Sequence, residues 1–306
     1  MTESKSTTPG ILDRLAAGEI LVFDGATGTY LQRHGLEPGG CPELLNDTNP
    51  ELIQKMAADY FEAGSDIVLT NTFGGNRFGL SRPQYAAGDR VRELNIKAAQ
   101  NARAACPPGK YVAGSVGPTG EFLEPLGNVT ESEMYDALAE QITALAEGGA
   151  DAVMIETQLG LEEASMAVRV AKENTDLVVM STMVFDLGPR GFFTMFGVTP
   201  EQAVTGLLEA GADVVGSNCG NGIDRMIEIA GRMRAVTDRY LVIQSNAGIP
   251  AIKGGEILYP ESPEYMAERY KKLAAIPVNI LGGCCGTGPE HIRALAQAVK
   301  GVKTHA

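Results

Sequence analysis

The chain has 306 residues, 44% of them hydrophobic, with a net charge of −13, five cysteines and no tryptophan. That length and apolar content suit one large α/β domain with a sizeable core. The acidic balance, with no basic run, excludes nucleic acid as a partner, and apolar runs of only a handful of residues exclude a membrane-spanning helix, which needs ~20.

Met1 to Pro9 has no apolar segment of the secretory type and reads as a disordered lead-in. An odd number of cysteines, two of them adjacent, fits a reduced cytoplasmic protein with a metal or reactive thiol better than a disulfide framework.

The first apolar run, Ile20 to Phe23, is short and closes at Asp24-Gly25, as a strand buried on both faces does. A Gly- and Pro-rich loop from Arg33 to Asn49 follows. A helix is expected over Pro50 to Ala63, with Asn49 as its cap, Pro50 at the first position and Gly64 as its stop. The unit then recurs. Strands are expected at Asp66–Thr70, Tyr111–Val116, Ala152–Ile155, Leu177–Met183, Asp213–Val215, Leu241–Ser245 and Val278–Leu281. Helices alternate with them at about Asp89–Cys106, Glu131–Glu147, Leu161–Glu173, Pro200–Ala210, Ile223–Val236, Pro263–Leu273 and Pro289–Val299. Thr130 and Glu133 stand in capping-box spacing. Three helices are followed by one phrase, ending in Ser65-Asp66, Ala150-Asp151 and Ala212-Asp213. Eight strand–helix units predict a single (β/α)8 TIM barrel over residues 19–300, with 1–18 as lead-in and 301–306 as tail. A doubly wound open sheet is the alternative.

In such a barrel the chemistry sits at the C-terminal ends of the strands. Those ends read Asp24, Thr70, Asn71, Ser115, Glu156, Thr182, Asn218, Cys219, Asn246, Cys284 and Cys285. The ring holds no Lys, Arg or His, which argues against a Schiff-base aldolase or a His-based isomerase. The three histidines, His34, His291 and His305, read as surface structure. Three thiolates with one open position make a zinc site able to bind a fourth sulfur. Adjacent Cys284 and Cys285 can share a metal only where the backbone turns, and the flanking glycines permit that. Three buried structural thiols, or a phosphate cradle at Gly282-Gly283, are the alternatives.

Asp24-Gly25-Ala26-Thr27-Gly28-Thr29, Thr70-Asn71-Thr72-Phe73-Gly74, Gly117-Pro118-Thr119-Gly120, Asn218-Cys219 and Gly282-Gly283-Cys284-Cys285-Gly286-Thr287 together resemble the homocysteine S-methyltransferase family, from Ile20 to about Val299. The resemblance implies one Zn2+ per chain on Cys219, Cys284 and Cys285. It also implies Asp24 and Glu156 on the substrate ammonium and backbone N–H groups near Gly25 and Ala26 on its carboxylate. Asn246 is grouped with the substrate-binding residues. The expected reaction is methylation of homocysteine, held as a zinc-bound thiolate, to methionine.

The methyl donor stays open between betaine or another onium compound and methylcobalamin, the latter expected on a separate corrinoid protein. Quaternary ammonium groups favour aromatic cages with Trp best, and this chain has none. Tyr30, Phe73, Phe122, Phe185, Phe192, Phe193 and Phe196 are the rings available. Another small thiol acceptor, or a zinc-binding barrel without turnover, remain as alternative functions.

Overall fold

Each short apolar run forms one strand of a single parallel sheet in the computed structural model, which describes residues 9–253 and 256–304. The strands are β1 (Leu21–Val22), β2 (Ile67–Leu69), β3 (Tyr111–Val116), β4 (Ala152–Gln158), β5 (Val178–Met183), β6 (Val214–Asn218), β7 (Tyr240–Ser245) and β8 (Ile280–Gly283). They pair in sequence order, with β8 returning to β1. A parallel bridge between Phe23 and Ile67 joins β1 to β2. The sheet is therefore a (β/α)8 barrel and not the doubly wound alternative.

The helices that cover it are α1 (Pro50–Ala63), α2 (Val91–Ala104), α3 (Glu131–Glu147), α4 (Leu161–Asn174), α5 (Pro200–Glu209), α6 (Ile223–Arg234), α7 (Pro263–Ala275) and α8 (Pro289–Val299). Their ends follow local chemistry. Asn49 accepts the Leu52 N–H at the start of α1, and Gly64 closes that helix at φ 116°. Thr130 and Glu133 form the expected capping box at α3.

Strand periodicity of two sorts the apolar residues into two cores. Leu21, Phe23, Ile67, Leu69, Ala113, Met154, Met180, Val214, Val242 and Ile280 fill the barrel interior. Their neighbours in sequence, such as Val22, Val68, Val112, Val153, Val179, Val215 and Leu281, face the helices. Both faces of each strand are thus buried, which is why the strands read as continuous apolar runs.

The repeated Asp before three strands has a structural use. Asp66, Asp151 and Asp213 each accept a backbone N–H from an adjacent strand, at Val22 (3.0 Å), Val112 (2.8 Å) and Val179 (2.8 Å). Asn279 does the same for Leu241 at 3.0 Å. Each carboxylate also meets a cation: Lys110 for Asp66, Arg103 for Asp151, Lys172 for Asp213. These residues lock strand register at the end of the barrel opposite the site.

Several features depart from the expected layout. Residues 11–16, within the expected lead-in, form a helix that places Ile11 and Leu15 in the interior cluster. A seven-residue helix, Thr27–Arg33, follows β1. Hairpins pair Asp186–Gly188 with Gly191–Phe193, and Ala251–Lys253 with Glu256–Leu258. His291 is buried rather than superficial, with Nδ1 accepting the Gly288 N–H at 3.2 Å and Nε2 lying 3.1 Å from the Glu261 carbonyl. Met1 to Thr8 of the lead-in, and His305 and Ala306 of the tail, lie outside the described residues. Among the described residues no helix is long and apolar enough to cross a membrane.

Candidate active site at the strand ends

The backbone turns wherever a thiol is presented. After β6 the chain enters the left-handed region at Cys219 (φ 61°), a conformation that a non-glycine residue holds only under constraint. After β8 the Thr287 N–H (3.1 Å) and hydroxyl (2.6 Å) both bond to the Cys284 carbonyl, and Gly286 takes φ 83°. This tight turn removes the strand alternation that would send Cys284 and Cys285 to opposite faces. Cys219 Sγ and Cys285 Sγ are 3.8 Å apart, and all three sulfurs lie within 4.8 Å of one another.

A zinc–sulfur bond of ~2.3 Å in a tetrahedron sets a sulfur–sulfur edge of about 3.8 Å. The triad therefore fits the metal in donor chemistry and in spacing, with one coordination position left for a ligand. Among the described residues it is the one His, Cys, Asp or Glu cluster tight enough to hold an ion. Without metal the sulfurs share their protons unequally. Hydrogen bonds from Cys219 and Cys284 draw the Cys285 thiol below its ordinary value, while Cys284 is held well above its own by Cys219 and Cys285.

The two carboxylates lie beside it in different settings. Glu156, at the end of β4, accepts the Ser115 hydroxyl at 2.5 Å and the Asn218 amide at 3.3 Å. Burial pushes its pKa up to about 7, against the Ser115 hydrogen bond, and the nearby Cys219 adds to the rise. Asp24 is 2% exposed. Its Oδ2 accepts the Leu69 N–H at 2.7 Å, its Oδ1 has no partner, and burial together with the charge of Glu156 raises its pKa well above normal.

A cavity of about 360 Å³ opens over the triad. Glu156, Ser115, Thr157, Gln244 and the three cysteines line its inner part, and Phe73, Arg82 and Tyr85 lie nearer solvent. Gly25 and Ala26 line it as expected. The Ala26 N–H, however, is already donated to the Thr287 carbonyl at 3.0 Å, so it is not available to a substrate carboxylate. The first turn of the helix Thr27–Arg33 leaves N–H groups without intrahelical acceptors, and Thr27, Gly28 and Thr29 border the cavity.

Asn246 is not a lining residue. It is 4% exposed, with its N–H donated to the Asn221 carbonyl at 3.2 Å. Gln244, two residues earlier on β7, reaches the cavity instead. Parity with inward-facing Val242 aims Gln244 into the barrel, and Asn246, of the same parity, lies past the strand end at Ser245. Glu43 is a second lining residue that sequence reasoning missed. It is tied down by the Gly74 N–H at 2.7 Å and the Cys41 thiol at 3.2 Å. Of the candidate rings, Phe185, Phe192 and Tyr30 are core residues, whereas Phe73 borders the cavity. Phe122 and Phe196 make an edge-on pair.

A (β/α)8 barrel that gathers three thiols and a buried carboxylate around one strand-end cavity has the layout of a barrel enzyme whose site could hold a metal ion. The sequence matches the homocysteine S-methyltransferase family over residues 21–299, and the chain belongs to that family. It is 35% identical over 313 residues to the methionine synthase of Mycobacterium tuberculosis, covering 96% of this chain and 26% of that protein. It is 34% identical to the methionine synthase of Mycobacterium leprae over 309 residues, covering 94% and 25%. The chain thus spans about a quarter of the length of these relatives. The fold is shared with the homocysteine methyltransferase MmuM from Escherichia coli in its metallated form, at a TM-score of 0.76, 22% identity and coverage of 92% and 97%.

Proposed function

We propose that the chain transfers a methyl group to the thiol of homocysteine, giving methionine, with zinc resident on Cys219, Cys284 and Cys285. The observation that carries this reading is three sulfurs within 4.8 Å of one another at the floor of a cavity that Glu156 also lines. Zinc, when bound there, lowers the pKa of an incoming thiol and keeps it nucleophilic at neutral pH.

The remaining work falls to the protein. Glu156, on the cavity wall, receives the substrate ammonium, with Asp24 buried outside the lining adding negative charge behind it, and the first-turn N–H groups of Thr27 to Thr29 receive its carboxylate. Ser115 and Asn218 fix the Glu156 carboxylate by hydrogen bonds at 2.5 and 3.3 Å. The substrate is thereby held at two ends while its sulfur reaches the triad, an orientation effect that lowers the barrier to displacement. In the transfer, the substrate sulfur forms a bond to the methyl carbon. The bond from that carbon to the donor breaks, and the leaving group departs with the bonding pair. Three unpaired thiols need a reducing compartment such as the cytoplasm.

The donor with most support is a methylated corrinoid brought by another protein or module. The strand-end loops carry exposed apolar side chains at Phe122, Leu187, Met195, Phe196, Ile249 and Ile252, a surface suited to docking. The deciding experiment supplies zinc-loaded protein and homocysteine with methylcobalamin, betaine or a dimethylsulfonium compound in parallel. Methionine from methylcobalamin alone supports the corrinoid reading, and methionine from one onium donor replaces it. Zinc binding without turnover from any donor would favour a barrel that stores zinc.

A further inference from the structure

With zinc resident, the floor of the cavity would carry four sulfurs of like charge: Cys219, Cys284, Cys285 and the substrate's own. Any of them can attack a methyl group. In each case a sulfur lone pair forms the bond to carbon, and the donor leaves with the old bonding pair. Turnover requires the substrate sulfur to win, because a methylated cysteine is no longer a thiolate and no longer a good metal ligand. A thiolate that accepts a hydrogen bond gives up part of its electron density and attacks carbon more slowly.

Each protein sulfur is met by a donor. The Asn218 amide nitrogen lies 3.8 Å from Cys284 Sγ. Cys219 at φ 61° and Gly220 at φ 72° curl the chain, and the Gly220 N–H meets the Cys219 sulfur. Cys285 takes its hydrogen bond from the Tyr259 hydroxyl, a phenol that keeps its proton at neutral pH. Of the three donors, Tyr259 alone comes from outside the thiol-bearing strands and their turns, on the segment between β7 and α7.

That segment is built onto the Cys285 turn. The root of the Tyr259 ring occupies the place of a side chain at Gly286: a Cβ there would lie 2.1 Å from Tyr259 Cγ and 2.5 Å from Cδ1. Gly286 takes φ 83°, and its N–H is donated to Thr29 Oγ1 at 3.1 Å. The Ala247 N–H bonds the Cys285 carbonyl at 2.9 Å, and the Glu261 N–H bonds the Ala247 carbonyl at 3.0 Å. His291 Nε2, 3.1 Å from the Glu261 carbonyl, ties the same segment to the start of α8. Tyr259 is thus fixed beside Cys285 through its ring and through the backbone on both sides of it.

We propose that Tyr259, by donating its hydroxyl to Cys285 Sγ from over Gly286, steers methylation to the substrate's sulfur and away from the chain's own. This rests on the thiol-methylating reading above and adds a positioning residue to it. Tyr259 acts through Cys285 and does not line the cavity.

The test uses zinc-loaded protein without homocysteine, iodomethane as the methylating probe, and peptide mass spectrometry to follow each cysteine. Tyr259→Phe keeps the ring over Gly286 and removes the hydroxyl. Cys285 methylation should then rise about 3- to 10-fold, the combined effect of one charge-assisted hydrogen bond and the Brønsted slope for thiolates. Cys106, at the other end of the barrel, should react as in wild type. In cobalt-substituted protein the sulfur-to-metal charge-transfer band should move to longer wavelength, because a sulfur without its hydrogen bond releases an electron more easily. A ring-fluorinated tyrosine at this position, a stronger donor of nearly the same shape, should slow Cys285 methylation below wild type. An unchanged Cys285 rate and cobalt band in Tyr259→Phe would overturn the proposal and leave the methyltransferase reading intact. Equal rises at Cys219, Cys284 and Cys285 would overturn it too, because the side chain would then be shielding the whole centre. Should Tyr259→Phe prove too unstable to assay, a rate in the fluorinated protein equal to or above wild type would overturn it. Wild-type protein that takes up neither zinc nor cobalt would remove both readings.

Discussion

Asn218 Nδ2 lies 3.3 Å from Glu156 Oε2 and 3.8 Å from Cys284 Sγ, so one amide touches both the carboxylate and the thiol halves of the site. Its Oδ1 accepts the Thr157 N–H at 2.8 Å and the Thr182 hydroxyl at 2.7 Å. Thr157 is itself held at φ 60°, an unfavourable value for a β-branched residue. Asn218→Ala removes the group that stabilises that backbone and leaves buried donors unsatisfied. The expected loss of stability is about 1–3 kcal/mol, read by urea denaturation, together with weaker homocysteine binding. An unchanged midpoint would show that Thr157 is held by its neighbours alone.

Cys285→Ala leaves two sulfurs, too few for the site described. Outer-sphere changes around a metal cost about 10–100-fold in affinity or activity, and loss of a ligand should cost at least that. Zinc content by mass spectrometry should fall from about one per chain to a small fraction, with methyl transfer lost in parallel. Full zinc content and full activity in this variant would end the three-thiol reading.

Glu156 predicts a pH dependence of fixed sign. Its folded pKa is raised from 4.5 to about 7. The folded state therefore holds the proton more tightly than the unfolded state. Its contribution is fully present below about pH 4.5 and is lost as pH rises through about 7. The full change is on the order of 3 kcal/mol. Ligand-free protein should lose stability across that window, and Glu156→Gln should flatten the curve. Binding of an α-amino thiol should move the other way, strengthening as pH rises towards 7, because the ionised carboxylate receives the ammonium. Parallel curves for wild type and Glu156→Gln would place the titration elsewhere.

Thr130→Ala separates fold from site. The capping box at α3 joins Thr130 Oγ1 to the Glu133 N–H at 3.2 Å, on the outside of the barrel. Its removal should cost about 1 kcal/mol of stability and leave zinc content and methyl transfer unchanged. A fall in turnover at full occupancy of the folded state would mean that α3 positions the β3 loop.

Much of this was legible in the sequence. The thiols stood out because a Cys-Cys pair between glycines has few structural uses, and the barrel followed from apolar runs alternating with capped helices. Gln244 was passed over because the end of β7 was read at the more polar Asn246; both share the parity of inward-facing Val242, and what separates them is that the strand ends at Ser245, a boundary the local sequence does not mark. The occupation of the Ala26 N–H by the Thr287 carbonyl joins residues at opposite ends of the chain, and no local pattern records it. The helix Ile11–Ala16 is six residues long, too short to show a helical period before its buried face is known.

The thiols all come from β6 and β8, whereas Asp24 and Glu156 come from β1 and from β4. Metal capture and carboxylate recognition are therefore written in separate, contiguous stretches of the gene, one on each side of β5. The two meet away from the closure of the ring, at Asn218 on β6, whose amide reaches Glu156 from the first stretch and Cys284 from the second. A change of acceptor in the first stretch would therefore have to be matched by that one asparagine in the second.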